Sequence, residues 1–356
     1  MGINSALGSS ALLPAGLGFR NKIINGDMRI NQRGASISST NVGYLVDRWV
    51  MYAGSSLTSL NTSTDAPTGF TNSIYAECTT ASGPASYHGI VQQIEGNNIS
   101  DLGFGTAWAK PVVVSFWVKS TKTGIANFSF ANNGNLRTYT TTYTIDVANT
   151  WEKKIIYING DTSGTWLTTN GMGLRLWWDL GSTTSYNTTV NTWVGTDSIR
   201  TSSQTHNLTA TLNARLYLTG VQLEQNYQPT PFEQRPYGVE LALCQRYYED
   251  SVTTTSTIGA NVGIGGNTYC APTFFKVIKR IQPTSINGAN DTSGNIRVWN
   301  NVGAAGSVSY YQGGWTNVHT SMTFDWYGTW GFALTTTGGL MDADLVAFRY
   351  AYSAEL

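Results

Sequence analysis

The stretch that decides the fold is Arg215–Asp250, with the sequence RLYLTGVQLEQNYQPTPFEQRPYGVELALCQRYYED. Its first residues alternate apolar and polar side chains, which predicts a β-strand. Gly220 breaks this alternation, and the apolar positions resume out of phase at Val221; an isolated glycine at such a point indicates a β-bulge. Three prolines between Gln228 and Pro236 then exclude both a helix and a sheet interior.

A short helix is predicted after the prolines, because the apolar residues from Val239 to Tyr248 have helical spacing. A strand, a rigid strap and a helix in succession indicate that one domain ends and another begins. We therefore divide the chain into four parts, which are an N-terminal arm (1–19), a first β-domain (20–228), a proline-rich strap with a linker helix (229–251), and a C-terminal β-domain (252–356).

The apolar residues of the helix occupy more than one stripe, so the helix is predicted to be buried on several sides. Two arrangements would achieve this: packing between the two domains of one chain, or a threefold bundle with symmetry-related copies. The residues assigned to this interface are Leu241, Leu243, Cys244, Tyr247 and Tyr248.

On both sides of this stretch the sequence predicts short β-strands separated by turns. Val112–Lys119 is nearly continuous in apolar residues, which is typical of a strand buried on both faces. Many short strands without alternating long helices predict an all-β fold, namely a jelly-roll β-sandwich followed by the short helix and a second small β-domain. The other strand segments are Tyr44–Tyr52, Thr138–Val147, Lys153–Ile158, Leu174–Leu180, Pro272–Ile281, Ile296–Trp299, Thr323–Leu334 and Leu345–Tyr352.

Composition limits the function classes. Only 12% of the 356 residues are charged, and the formal net charge is zero. A nucleic-acid surface needs a basic patch and a membrane helix needs about 20 apolar residues, so neither nucleic-acid binding nor membrane insertion is expected. The cysteines Cys78, Cys244 and Cys270 are too widely spaced for a zinc site, and we predict buried, reduced thiols and no cofactor.

Several short segments resemble one family of bacteriophage virion proteins, described as tail-fibre or receptor-binding proteins. The segments that carry the resemblance are Asn25-Gly26-Asp27-Met28, Asp47-Arg48-Trp49, Gly220-Val221-Gln222-Leu223-Glu224, Pro231–Gly238, Leu243–Tyr248 and the final Ala354-Glu355-Leu356. The resemblance implies a structural virion component, often trimeric, that faces the host surface. It also implies a first domain similar to a carbohydrate-binding-module jelly roll. It implies no catalytic residue, because the matching segments are structural in character.

The chain lacks HExxH and GxSxG sequences and a phosphate-binding glycine loop. Its histidines, His88, His206 and His319, are predicted to be ordinary surface residues. The carboxylates that glycan cleavage or calcium binding would use lie in turn sequences, which are usually solvated loops. Those carboxylates are Asp325, Asp342 and Asp344 for cleavage, and Asp161 and Asp291 for calcium. We therefore predict that the protein is not an enzyme and holds no metal.

Aromatic residues provide the candidate ligand sites, because aromatic rings pack against the apolar faces of sugars. Most tryptophans are predicted to be core, including Trp49, Trp117 and Trp177 in strands. The candidate ligand-binding residues are Tyr310, Tyr311, Trp315, Trp326, Trp330, Trp166 and Trp193. For the C-terminal cluster, a small domain core or a subunit contact remains the alternative.

The sequence thus predicts a virion protein on the tail or capsid surface, assembled in the host cytoplasm. Its first functional interpretation is a homotrimeric tail fibre or adhesin that binds host-surface polysaccharide and docks on other virion proteins through the N-terminal arm. The alternatives are a capsid or tail decoration protein, whose ligand is another virion protein, and a glycan-depolymerising tailspike.

Overall fold

The computed structural model describes residues 19–34, 37–38, 43–55, 58–83, 86–250, 263–264, 268–282, 286–287, 296–299, 308–311, 315–318, 321–337, 345–347 and 349–355. After residue 250, side chains are described at 274–282, 329–330, 350 and 352–355.

Two antiparallel sheets form the first domain. In spatial order, the six-stranded sheet consists of β1 (Ile37–Ser38), β4 (Thr58–Ser63), β5 (Ser73–Cys78), β13 (Arg215–Glu224), β7 (Val112–Ser120) and β10 (Glu152–Ile158). The seven-stranded sheet consists of β12 (Trp193–Val194), β9 (Thr138–Ile145), β8 (Gly124–Ala131), β11 (Met172–Asp179), β6 (His88–Glu95), β3 (Trp49–Ala53) and β2 (Gly43–Tyr44). The chain passes repeatedly between the sheets, and the predicted all-β jelly-roll sandwich is confirmed.

The core lies between the two sheets and is rich in aromatic side chains. Phe116 of β7 and Phe128 of β8 both pack against Trp178 of β11, with ring centroids 5.6 and 4.8 Å from the tryptophan ring. All three side chains are fully buried. Complete burial of one such ring contributes roughly 1.5–3 kcal/mol to folding, so this contact between the sheets is a major stabilising element.

The predicted bulge at Gly220 is confirmed. Gly220 has φ +61°, and the register of β13 against β7 shifts between Thr219 and Gln222. A Cβ atom at this position would lie 2.7 Å from Phe70 Cζ and 2.9 Å from Trp117 Cδ1. Both the left-handed backbone and the close packing therefore require glycine here.

The strap is held against β13 by polar side chains. The Glu224 carboxylate accepts hydrogen bonds from the backbone N and the hydroxyl of Thr230, at 2.7 and 2.8 Å. The Gln222 side-chain oxygen accepts the backbone N–H of Glu233 at 2.8 Å, and the Glu233 carboxylate accepts the backbone N–H of Asn21, also at 2.8 Å. The strap thus connects the end of the first domain to its beginning.

Helix α1 spans Tyr237–Gln245, and Tyr248 lies beyond it in strand β14 (Tyr248–Asp250). Cys244, together with Tyr247 just beyond the helix, packs against the N-terminal segment, whereas Val239 on the opposite face is 36% exposed. Within this chain the helix is therefore buried on one face, not on several as expected. No helix among the described residues is long and apolar enough to cross a membrane.

In the part of the chain described after the helix, the strands form three small sheets. One contains β14, β24 (Arg349–Ser353), β18 (Ile296–Trp299) and β17 (Ile286–Asn287). The second contains β15 (Gly263–Ile264), β16 (Thr268–Phe274), β22 (Gly331–Thr337) and β21 (Ser321–Gly328), and the third contains β20 (Trp315–Val318), β19 (Val308–Tyr311) and β23 (Leu345–Ala347). Because β14 belongs to the first of these sheets, C-terminal sheet structure begins inside the segment assigned to the linker. The four-part division of the chain stays a prediction.

Four of the predicted strand segments differ from the structure. Thr323–Leu334 is a hairpin of β21 and β22, and Leu345–Tyr352 is divided between β23 and β24, which belong to different sheets. The segment Tyr44–Tyr52 is divided into β2 and β3 by a turn in which Arg48 has φ +73°. The segment Pro272–Ile281 leaves the sheet after Phe274. At the break between β2 and β3, Asp47 and Arg48 lie within an apolar run and pair with Arg33 and Glu355, outside the sheet.

The carboxylate of Glu355 joins the C-terminal segment to the sandwich. It pairs with Arg33 at 2.9 Å and with Arg48, whose guanidinium lies 3.6 Å from the centre of the Tyr247 ring. Arg48 is 1% exposed. Burial by itself would lower the pKa of Arg48, but the Glu355 carboxylate together with Tyr247 and other neighbouring groups outweighs it, and the net shift is upward.

The substitution Glu355→Gln should destabilise the protein by about 3 kcal/mol, because it leaves the buried Arg48 without a carboxylate. Urea unfolding followed by tryptophan fluorescence measures this change. Asp101→Asn is the matched control; it removes the half-exposed partner of Lys22 and should cost less than about 1 kcal/mol. Equal losses for the two variants would contradict the assignment of Glu355 as a buried counter-ion.

The expectation of surface histidines is wrong for two of the three. His88 and His206 are both 0% exposed, and His319 lies outside the described residues. The Nε2 atom of His206 lies 2.9 Å from Ser120 Oγ. Burial, assisted by the positive charge of Lys122, lowers the pKa of His206 to about 4.

The buried His206 predicts a loss of stability in acid. The unfolded histidine binds a proton near pH 6.5 whereas the folded one stays neutral to about pH 4, so the contribution is present above pH 6.5 and is lost as the pH falls toward 4. The loss should reach about 3 kcal/mol. Urea unfolding at pH 7 and pH 4.5 should show a smaller decrease for His206→Gln than for the wild type. An identical decrease for both proteins would refute this explanation.

Candidate ligand-binding groove

The outer face of the seven-stranded sheet carries a second apolar cluster, separate from the core. Because side chains alternate along a strand, Trp178 lies in the core and its neighbour Trp177 lies on the outer face. Trp177 is in register with Val91 of β6, which is in register with Val50 of β3. These three residues and Ile199 form the apolar floor of a groove.

Tyrosine side chains surround this floor, all of them partly buried: Tyr44, Tyr52, Tyr87 and Tyr186. The Tyr52 ring lies 5.8 Å from the Trp177 ring at 36°, and the Tyr87 ring lies 6.4 Å away at 69°. Between them is a cavity of about 210 Å³ with three polar residues in its lining, Asn135, Arg175 and Asp197.

One wall of the groove comes from the long segment between β11 and β13. This segment covers the neighbouring half of the outer face, where the Thr138 hydroxyl donates to the carbonyl of Thr196 at 2.6 Å and the Thr140 hydroxyl donates to the carbonyl of Ser198 at 3.0 Å. These bonds anchor the part of the segment that supplies Asp197. The strands therefore fix the floor of the groove, and an anchored segment fixes its wall.

The polar groups of the groove are linked to the aromatic ones. Nη2 of Arg175 donates to Oδ1 of Asp197 at 3.3 Å, and the guanidinium lies 5.1 Å from the centre of the Trp177 ring. On β6, the Gln93 amide donates to the Tyr52 hydroxyl at 3.0 Å. Burial lowers the pKa of Arg175 and raises the pKa of Tyr52, because each group's charged form loses its contact with water.

Gly89 allows Trp177 to lie flat across β6. A Cβ atom at position 89 would lie 2.3 Å from Cε2 and 2.4 Å from Nε1 of Trp177. The ring could not keep its position over any larger residue, so this glycine sets the depth of the groove.

Chemically, the groove offers aromatic faces beside hydrogen-bonding and charged groups. This combination suits a ligand with both apolar and polar surfaces. Among the residues that the structure describes, no group of three or more His, Cys, Asp and Glu side chains could hold a metal ion.

The tryptophans predicted from the loops of the first domain do come together, but at the end of the core. Trp166 is 8% exposed, packs edge-on against Phe104 at 4.9 Å, and donates to the Ser163 carbonyl at 3.2 Å. Trp193 is partly buried, lies 5.6 Å from Trp166, and donates to the Asn159 carbonyl at 2.9 Å. Trp166 is therefore a core residue, because a loop that closes the end of a sandwich contributes to its core.

The C-terminal candidates are only partly described. Trp330 is 53% exposed and stacks on the exposed Phe274 with ring centroids 5.7 Å apart. Tyr311 is paired with Trp315 between β19 and β20, Tyr310 precedes it on β19, and Trp326 lies on β21. The side chains of these four residues lie outside the described part of the chain, so a ligand site here stays a prediction.

The interface residues assigned from the sequence lie where the helix packs against the N-terminal segment at Ile24 and Ile30, a region that we call the junction. Cys244, Tyr247 and Tyr248 are buried there, and Leu241 and Leu243 are partly buried against them. This placement corresponds to the first of the two arrangements, and the trimer stays a prediction.

The structure shows the surroundings of some of the candidate acids and cysteines. Asp161 is 2% exposed and receives two hydrogen bonds from Arg137, both of 2.7 Å, so its carboxylate is already neutralised. Cys78 and Cys244 are free and buried. Asp291, Asp342, Asp344 and the side chains of Asp325 and Cys270 lie outside the described residues.

Sequence reasoning missed the groove because it assigned Trp177 to the core. One signal was available: adjacent residues in a strand face opposite ways, so Trp177 and Trp178 cannot both be core in a two-layer sandwich. Arg175, two positions away, shares the face of Trp177. The contributions of Tyr186 and Asp197 had no such signal, since both come from an irregular segment.

Comparison with known proteins finds similarity to solved structures, and at the level of the fold only. No protein-family model and no curated protein matches the sequence. A putative sugar binding protein from Bacteroides thetaiotaomicron is 11% identical, with a TM-score of 0.35, over 58% of this chain and 100% of that one. The enzymatically active domain of bacteriophage CBA120 tailspike protein 4 is 12% identical, with a TM-score of 0.34, over 58% of this chain and 22% of that one.

A third similar structure is the family 11 carbohydrate-binding module from Clostridium thermocellum, in complex with a β-1,3-1,4-mixed-linked tetrasaccharide. It is 14% identical, with a TM-score of 0.29, over 55% of this chain and 97% of that one. Similarities at this level do not assign a function. The sheet topology defines the class of protein, an antiparallel jelly-roll sandwich with an aromatic groove on one outer face.

Gly89→Ala should destabilise the protein by about 1–3 kcal/mol, because the new methyl group overlaps the Trp177 ring and the groove must repack. Gly83→Ala is the control, since a Cβ atom there meets nothing within 4 Å. Urea unfolding midpoints compare the two. Unchanged stability in both variants would show that Trp177 does not lie against Gly89.

Proposed function

We propose that this chain is a non-enzymatic, glycan-binding protein of a bacteriophage virion, a tail fibre or adhesin that recognises host-surface polysaccharide through the aromatic groove. The observation that carries the proposal is the set of aromatic rings around Trp177 on the outer face of the sheet. These rings are not needed to fill the sandwich core, which is complete between the two sheets.

The composition of the groove matches the chemistry of a sugar. A pyranose ring has apolar C–H faces that pack against aromatic rings, and hydroxyls that need hydrogen-bonding partners. Tyr52 and Tyr186 supply the aromatic surface above the buried Trp177, and Asn135, Arg175 and Asp197 supply the polar groups. Nearly all of these groups are held on strands or on an anchored segment, so the groove is preorganised.

The size of the cavity indicates how much of a glycan it encloses. Pockets that enclose drug-sized ligands have volumes of roughly 300–1,000 Å³. The cavity of about 210 Å³ is smaller, so it suits a single sugar ring with its neighbours outside. One such site binds weakly, and several copies on a trimer or a virion would raise the overall affinity by avidity.

Support for the virion assignment comes from the segments that resemble phage virion proteins, because they meet at one junction. The indole of Trp49 donates to the Asn25 carbonyl at 2.9 Å, and the backbone N–H of Val221 donates to the Gly26 carbonyl at 2.9 Å. Glu355 and Arg48 complete this junction. The shared segments thus build one structural frame, as expected for a resemblance that concerns architecture. Attachment to other virion proteins through the N-terminal arm belongs to the same proposal.

A second candidate function, a decoration protein that binds another virion protein, is favoured by the open side of α1. Val239, Ala242 and Leu243 line a shallow apolar hollow of about 360 Å³ with Val277. The neighbouring Ile278 is 63% exposed. Exposed apolar surface of this kind is typical of contacts between proteins.

Trp177→Ala should lower the affinity for host polysaccharide at least about tenfold, because truncating a central aromatic residue in a binding site costs roughly 2 kcal/mol or more. Since Trp177 is buried, Tyr186→Ala is the second variant; its ring lies at the edge of the groove and its loss should leave the fold intact. Trp151 lies beside Tyr217 on the other sheet, so Trp151→Ala is the control and should bind normally. Binding is measured on immobilised host polysaccharide, with circular dichroism to verify folding.

Three further measurements separate the alternatives. Reducing ends released from the polysaccharide would reject the non-enzymatic proposal. Strong binding to purified virion proteins with no binding to polysaccharide would favour decoration. A monomeric mass in solution would exclude the trimer.

A further inference from the structure

Arg175 is the buried cation of the groove, and most of its N–H donors have no hydrogen-bond acceptor within the described residues. Its side chain is 10% exposed, and its only hydrogen bond within the described residues is the contact of 3.3 Å from Nη2 to Asp197. Its Nε atom is buried without a partner, as are those of Arg48 and Arg235, so the difference lies in the other four donors. A guanidinium has five N–H donors, so most of this group's hydrogen-bonding capacity is unused.

The other buried arginines of this protein are treated differently. Arg235 pairs with Glu240 and also donates to the Ile23 carbonyl at 3.0 Å. Arg48 pairs with Glu355 and also donates to the Gln93 carbonyl. Arg175 has no second acceptor in the described part of the chain. Because a desolvated charge is costly unless it is well paired, this exception needs a reason.

The single partner of Arg175 is poorly held. The Asp197 side chain is 45% exposed, and its only hydrogen bond or ion pair within the described residues is this contact. A carboxylate on the mouth of the groove, bound through one oxygen at 3.3 Å, can be displaced by a better-placed carboxylate. The planar guanidinium favours such a ligand, because it can form two parallel hydrogen bonds with a carboxylate.

We propose that the groove takes an acidic glycan, in which the carboxylate of a sugar acid replaces Asp197 as the partner of Arg175. This inference rests on the proposed glycan-binding function and specifies its ligand class. The carboxylate of a sugar acid is attached directly to the ring. A ring packed beside Trp177 therefore presents that group close to a guanidinium 5.1 Å from the centre of the indole.

The test uses an array of acidic polysaccharides, each printed beside its carboxyl-reduced form, in which a hydroxymethyl group replaces the carboxylate. The full chain should bind at least one acidic member, and carboxyl reduction should weaken that binding roughly tenfold to a hundredfold, the range expected for losing hydrogen bonds to a charged group. Binding should also weaken as salt is raised, since exposed charges are screened.

Substitutions in the pair assign the effect to residues. Arg175→Gln should reproduce the loss caused by carboxyl reduction and add nothing to it, whereas Arg175→Lys should retain part of the preference for the acid. Asp197→Asn should strengthen binding to the acidic member, because it removes the competing carboxylate and its repulsion. Circular dichroism verifies that each variant is folded.

The outcomes distinguish the two proposals. If the best ligand is neutral, if carboxyl reduction has no effect, or if Asp197→Asn weakens binding to the acid, the acidic-glycan inference is overturned. Glycan binding through the groove still stands in those cases, provided that Tyr186→Ala and Trp177→Ala abolish it. If the wild type binds no glycan on the array, or if the groove variants bind normally, the proposed function itself fails.

Discussion

The buried guanidinium of Arg48 is the interaction on which the junction depends. It lies in a left-handed turn, covers the Tyr247 ring, and binds both the Glu355 carboxylate and the carbonyl of Gln93. Four distant parts of the chain are thereby held around one charge. A cation in such a place is tolerable only while its partners are all present, so the junction is stable as a unit and weak if any part is removed.

Strand β6 connects this junction to the groove. The side chain of Gln92 points inward and bonds to both the N–H and the carbonyl of Ile24, at 3.1 and 2.9 Å. The neighbouring Gln93 points outward to Tyr52 while its carbonyl accepts from Arg48. Farther along, the Glu95 carboxylate receives two hydrogen bonds from Arg246, at 2.6 and 2.9 Å. The frame and the ligand surface therefore share one strand.

The sequence could predict the features that are set by neighbouring residues, but not those set by distant parts of the chain. The bulge at Gly220, the strap and most strands of the sandwich follow from backbone constraints and the alternation of apolar residues, which neighbouring residues alone impose. The groove could not be obtained this way, because the role of Trp177 depends on which of the strand's two faces meets the other sheet. The positions of Asp197 and of the buried His206 depend on how an irregular segment folds back, and nothing in their neighbours encodes that path.

The position of β13 has a consequence for how the protein folds. This strand lies between β5 and β7 in the six-stranded sheet, although it follows β5 by more than a hundred residues of chain. Until it is inserted, β5 and β7 each present an unpaired edge, which invites association with other chains. Sheets closed by such distant segments form slowly, because a large loop must be ordered before its contacts are gained. The strap that follows β13 bonds to it and to the N-terminal segment, so a single late event completes the sheet and joins the two ends of the domain.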